Sequence, residues 1–138
     1  MKGEHILHSL NPFGKDLKSH TEDLVMELCS RINIPLQVLN FTEESIYALD
    51  NHLILRKTEI DEGFVNENLI PICVYLNETY VRSNGGRWFM ELDAQTWQPV
   101  VMTLTGDKRQ YFSYIYENLM FDGIVSINSC YFSGGSPV

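Results

Sequence analysis

The chain has 138 residues, 44% of them apolar, with 10 basic against 18 acidic side chains and a formal net charge of −8. That length fits one domain, which buries roughly two-thirds of its unfolded surface, and the 7 Phe, 7 Tyr and 2 Trp exclude a disordered chain. The acidic excess argues against nucleic acid and anionic membrane as partners, because phosphates must be neutralised by Lys and Arg; it permits a basic protein partner, and on the simpler reading only keeps the protein soluble.

Three cysteines, Cys29, Cys73 and Cys130, are widely spaced and form no Cys-x-x-Cys. An odd number of thiols on apolar positions fits a reducing compartment, so a cytoplasmic location is expected. Met1-Lys2-Gly3-Glu4-His5 has no long apolar stretch behind it, and no signal peptide is expected. No run approaches the roughly 20 apolar residues of a membrane span.

Spacing predicts a first helix over residues 15–32, where Leu17, Thr21, Leu24, Val25, Leu28 and Ile32 recur every three or four positions. Glu22, Asp23, Glu27 and Arg31 fall on its opposite side, and Pro35 ends it. A second helix over 42–57 has Thr42 as N-cap, Ile46, Leu49 and Leu53 inward, and Phe41 placed to act as a hydrophobic staple. Thr58 to Glu67 reads as an acidic loop carrying Glu59, Asp61, Glu62 and Glu67. It is the densest charge in the chain: either a solvated connection or a contact patch for a basic partner.

A third helix over 66–83 is apolar nearly all round from Leu69 to Leu76, as a helix buried on every side would be. Pro71 predicts a distorted start or kink, and Gly85 a left-handed stop. Strands follow at Arg87–Leu92 and Pro99–Leu104, joined by Asp93 to Gln98 as an antiparallel hairpin. A last helix covers 108–121, a third strand Ile124 to Phe132, and a frayed tail Ser133 to Val138. The expected fold is α+β: N-terminal helices packed with a small antiparallel sheet and one further helix. It forms a single domain over 1–138, irregular at about 1–14 and 133–138.

Little chemistry is legible. His5, His8, His20, His52 and Cys29 offer no ligand set of familiar spacing, so no metal or cofactor is expected. There is no Gly-x-Ser-x-Gly elbow, buried thiols are poor nucleophiles, and no catalytic residue is assigned. In Arg82-Ser83-Asn84-Gly85-Gly86-Arg87 the glycines follow a helix, whose carbonyl end repels an anion. A capping role suits them better than a phosphate cradle. Glu78 and Arg82, four apart with the acid first, form a helical ion pair that is either structural or the polar floor of a pocket with Trp88.

Several of these segments also resemble a known pattern. Leu39-Asn40-Phe41-Thr42-Glu43-Glu44-Ser45-Ile46-Tyr47-Ala48-Leu49-Asp50 is similar to a helix opening in a bacterial domain family of unknown function. Tyr75-Leu76-Asn77-Glu78, Arg82 and Gly85-Gly86-Arg87-Trp88 resemble that family's Y-L-G-E, R and G-G-x-W, and Trp97-x-Pro99-Val100 and Gly123 continue the likeness. Asn77 stands where the family usually has Gly, which changes how closely this helix can approach its neighbour. The resemblance covers about residues 17–127. It implies a small cytoplasmic bacterial domain from neighbourhoods that include toxin-immunity proteins, with a bias toward binding and no established reaction. The expected function is therefore a non-enzymatic protein-binding module of toxin-immunity type, using the segment with Glu59, Asp61 and Glu62. The alternatives are a small-molecule or enzymatic site near Glu78, Arg82 and Trp88, and a structural subunit of a larger assembly.

Overall fold

A computed structural model describes Leu7, residues 9–134 and residues 136–137. It is an α+β fold. Among the described residues from Gly14 onward, five α-helices and three short 3₁₀ turns are joined to a four-stranded antiparallel sheet in the order β1-β2-β3-β4. Among the described residues, no helix is long and apolar enough to cross a membrane. Of the ends expected to be irregular, residues 7, 9 and 10 are helical and Ser136–Pro137 pairs as β4; residues 1–6, 8, 135 and 138 lie outside the described residues.

The first predicted helix divides in two. Gly14–His20 is a 3₁₀ turn and α1 covers Thr21–Ile32. The tighter winding has a local cause: Ser19 Oγ donates to the Asp16 carbonyl (2.7 Å) and Thr21 Oγ1 to that of Lys18 (2.6 Å). Such hydroxyls compete with the regular i→i+4 ladder. Helix α1 buries Leu24, Val25, Leu28, Cys29 and Ile32 and stops at Asn33, whose φ of 56° is left-handed. Helix α2 (Glu43–Leu55) is capped by Thr42, whose side chain accepts from Ser45 N. Phe41 does not staple α2 to itself; its ring stacks on Tyr75 of α3, 5.1 Å between centroids.

Helix α3 (Glu62–Asn84) is the axis of the molecule, 23 residues and about 35 Å long. It begins four residues earlier than the spacing predicts, because Asp61 caps it by accepting from Phe64 N at 2.9 Å. The expected acidic loop is therefore largely the first two turns of a helix. Every residue from Asn68 to Asn77 is buried. The helix passes through Pro71 unbroken. Proline has no N–H for the carbonyl four residues back, and that carbonyl, of Glu67, is taken instead by Arg31 Nη1 of α1 at 2.9 Å. The defect in one helix thus becomes a tie to another.

Gly85, with φ of 79°, closes α3, and Gly86 lets the chain pass β2: a Cβ there would lie 2.3 Å from the Met102 carbonyl oxygen. Strands β1 (Arg87–Asp93) and β2 (Thr96–Met102) pair from Arg87↔Met102 to Asp93↔Thr96. The turn is only Ala94-Gln95, with φ of 49° and 67°, the left-handed pair a type I′ hairpin needs. Val100 and Val101 are both buried, whereas Leu104, expected within the second strand, lies beyond it and is exposed.

Two expectations for the C-terminal third fail. Lys108–Gln110, predicted to open the last helix, forms β3. Helix α4 starts only at Phe112 and runs to Met120, with buried Gln110 accepting from Ser113 N to hold its first turn. The stretch predicted as a strand at 124–132 holds helix α5 (Ile127–Phe132), so two helices follow the hairpin, not one. The cause lies 77 residues away. The buried Asp50 carboxylate of α2 accepts from Ile127 N (2.5 Å) and Asn128 N (2.8 Å), an N-cap supplied in space and not in sequence.

Candidate functional site

Helices α1 and α3 pack antiparallel, since Arg31 at the end of α1 meets Glu67 near the start of α3, while Thr21 and Glu22 share a groove with Glu78 and Arg82. Two candidate regions lie along this pair.

The first is a polar hub. Arg82 Nε donates to Glu78 Oε2 at 2.9 Å, and the buried Trp88 indole N–H donates to Glu78 Oε1 at 3.0 Å. Structure and sequence agree in bringing these three together. Sequence reasoning missed two more members, Lys18 and Phe41. Lys18 Nζ donates to the Trp88 carbonyl at 2.8 Å and lies 5.5 Å from the indole centroid. The Arg82 guanidinium sits 3.9 Å from the centroid of Phe41, a cation–π distance. Phe41 itself holds a φ of 62°, uncommon for a bulky side chain, and its N–H donates to the Tyr75 hydroxyl at 3.0 Å. That hydroxyl also bonds Ser45 Oγ. No local pattern announces Lys18 or the backbone strain at Phe41, because both follow from packing.

Burial pushes the Glu78 carboxyl upward. The Trp88 and Arg82 hydrogen bonds, with the charges of Arg82 and Lys18, outweigh that and hold its pKa below the ordinary value. A surface groove of about 450 Å³ lies over the hub, lined by Lys18, Thr21, Asp23, Glu78 and Arg82 among others. Trp88 does not reach it. Both Glu78 oxygens are already engaged within the chain, so the groups that a ligand in the groove would meet are the half-exposed Arg82 and the exposed Lys18, Glu22 and Asp23.

The second region, an acidic stripe, is a set of exposed carboxylates spread along the length of the same two helices. Glu22, Asp23 and Glu27 lie along α1; Glu62 and Glu67 lie on the first turns of α3, with Glu59 and Asp61 just before them. The members differ in what they already do. Asp61 is a cap, Glu59 lies 3.5 Å from Arg56, and Glu27 lies 3.3 Å from Arg31. Among the described residues, the carboxylates of Glu22, Asp23, Glu62 and Glu67 have no hydrogen bond or ion pair. Glu22, Asp23 and Glu27 were legible only as the outward side of a helix. In the fold Glu22 and Asp23 line the groove of Glu78 and Arg82, while Glu27 meets Glu67 beside Arg31 nearer the other end of the pair.

The remaining reactive groups are withdrawn. All three cysteines are free and buried, and burial pushes the Cys73 and Cys130 thiols up to about 12 and Cys29 upward. Thiols held protonated are weak nucleophiles. Among the described residues, no three His, Cys, Asp or Glu side chains are grouped to hold a metal ion. His20 stacks on Phe13; His5 and His8 lie outside the described residues. Asn84 at the end of α3 donates to Glu43 at 3.1 Å, so the segment around Gly85 and Gly86 is committed to structure. Asn77 is fully buried, and neither of its side-chain polar atoms has a hydrogen-bond partner. No family model, curated protein or solved structure matches the chain.

Proposed function

We propose that the protein is a non-enzymatic binding module that takes a basic protein partner on the acidic stripe, in the manner of a toxin-immunity inhibitor. The observation that carries this reading is the set of four unengaged carboxylates, Glu22, Asp23, Glu62 and Glu67, on two packed helices. Exposed carboxylates contribute little to a fold. They do steer a cationic surface into register and speed its association. Glu59 and Asp61 extend the stripe past the start of α3, so it includes the segment singled out from sequence.

The test replaces Glu59, Glu62 and Glu67 together by Lys and leaves the cap Asp61 untouched. In pulldowns from native lysate, the unaltered chain is expected to retain a basic protein that about 0.5 M salt releases and that the triple variant does not retain. A partner retained equally by both proteins overturns the reading.

A second reading, a small-molecule site at Glu78, Arg82 and Trp88, draws support from the groove above them. It predicts that a ligand protects the protein thermally and that Arg82→Ala removes the protection without lowering the unliganded midpoint by more than a few degrees. A screen of small acids that shifts neither protein speaks against it.

A further inference from the structure

The groove over the hub carries charges of both signs that do not meet. Lys18 and Arg82 line it together with Glu22 and Asp23, and all four side chains are exposed. Lys18 and Glu22 stand four apart, the spacing of a helical ion pair, yet the Lys18 ammonium turns to the Trp88 carbonyl at 2.8 Å. Arg82 gives its Nε to Glu78 and lays its guanidinium 3.9 Å from the Phe41 centroid. Among the described residues, neither cation forms an ion pair with Glu22 or Asp23. The Nη groups of Arg82 and the remaining N–H donors of Lys18 make no hydrogen bond within the described chain.

This lining sets what can bind. A simple anion gains Arg82 and Lys18 but meets Glu22 and Asp23, and a simple cation meets the reverse. A molecule with one group of each sign satisfies both. We infer, resting on the small-molecule reading of this groove, that its ligand is a small zwitterion, an amino acid whose carboxylate accepts from Arg82 and Lys18 and whose ammonium donates to Asp23 and Glu22. The guanidinium is held along the helix by Glu78 and at its face by the Phe41 ring, so its fork is aimed before the ligand arrives. Glu78 takes no part in recognition itself, because Arg82 and Trp88 occupy both its oxygens.

Size and polarity narrow the class. The groove is about 450 Å³, enough for a molecule of this kind. Ser19, Thr21 and Glu78 complete its lining, which includes no apolar side chain. The ligand's own side chain is therefore short or polar, since an apolar one would stay in water and gain nothing.

Backbone amide chemical shifts of the full chain, titrated at about 50 mM salt to limit screening, test this. The probes are glycine, β-alanine, γ-aminobutyrate and ε-aminocaproate, which differ in the distance between their charges. Exposed charge contacts are individually weak, so dissociation constants on the order of millimolar are expected, with shifts gathered at residues 18–23 and 78–82. The N-acetyl form of the tightest probe lacks the ammonium, and its amide lacks the carboxylate; each should bind in the groove at least about fivefold more weakly. Glu22→Gln with Asp23→Asn should weaken the amino acid by about the same factor and leave the N-acetyl form unaffected, whereas Arg82→Gln should weaken both. An N-acetyl form that binds as tightly as its amino acid overturns the zwitterion and leaves a small-molecule site standing. Shifts that survive both sets of substitutions overturn it by placing the ligand elsewhere. No shift in the groove from any zwitterion, acetylated acid or amide removes the small-molecule reading and the zwitterion together.

Discussion

The hub at Glu78 and the stripe from Glu22 to Glu67 run along the same helix pair and use the same functional group, yet their carboxylates are in opposite states. Glu78 is four-fifths buried, and each of its oxygens accepts a hydrogen bond from the chain itself. The unengaged acids of the stripe face water with no internal partner. An acid whose oxygens are used up holds the fold together; an acid left free is available to something else. Substitution should therefore move stability at the first and binding at the second.

The largest loss of stability belongs to a third carboxylate that follows the rule of the hub. Asp50→Ala strips α5 of its cap and leaves the Ile127 and Asn128 N–H groups without an acceptor, at a cost of about 3 kcal/mol. Urea unfolding measures it; a cost below about 1 kcal/mol would mean that water replaces the cap. Glu78→Ala should cost less, about 2 kcal/mol, because only the Trp88 indole N–H is left buried and unpaired while Arg82 can turn to solvent.

The two acids also set opposite pH dependences. Burial raises the Asp50 pKa above its ordinary 3.8, and the two backbone donors only partly offset this. The folded state then holds that proton more tightly than the unfolded state does. Its contribution is complete below the ordinary value and is lost as pH rises through the elevated one. Glu78 is shifted the other way. Its contribution is present above the ordinary 4.5 and is lost as pH falls through the lowered value. Comparing each protein with its Asp50→Asn or Glu78→Gln variant across acid pH should give slopes of opposite sign. Slopes of the same sign would contradict the assigned environments.

What sequence could reveal follows the same division between local and distant causes. Helices α1 to α3 were legible because their apolar spacing, caps and stops are local: Thr42, the uninterrupted Leu69–Leu76 and Gly85 act within a few residues of themselves. The stretch at 124–132 was misread because its cap is Asp50, in another helix. Lys108–Gln110 was misread because three residues at strand geometry carry too little pattern to compete with the aromatic helix behind them. At the hub, Glu78 and Arg82 were visible as an i, i+4 pair, while Lys18 and Phe41 join it only through packing.

A smaller effect, opposite in sign, is expected at Asn77. Its amide is fully buried with no partner for either polar atom. Asn77→Leu is close in volume and removes both unsatisfied groups, so it should stabilise the protein by about 1 kcal/mol, read as a raised thermal midpoint. A lowered midpoint would show that the amide bonds an internal water, which leucine cannot replace.

The smallest change in stability should come from the stripe, and it sharpens the comparison most. Replacing Glu62 and Glu67 by Lys removes no hydrogen bond within the chain, and the Glu67 contact that matters to the fold is made by its backbone carbonyl, which any side chain leaves in place. Placing cations on the first two turns of α3 opposes the helix dipole, but near the surface that costs only about 0.5 kcal/mol per charge at most, and salt screens it. Unfolding curves of the double variant and the parent should therefore nearly coincide at physiological salt. A loss above about 2 kcal/mol would place these carboxylates with Glu78, as parts of the fold, and would leave the binding reading without its free acids. Near-coincidence, with partner retention lost, would separate the two regions by function as sharply as burial separates them in the structure.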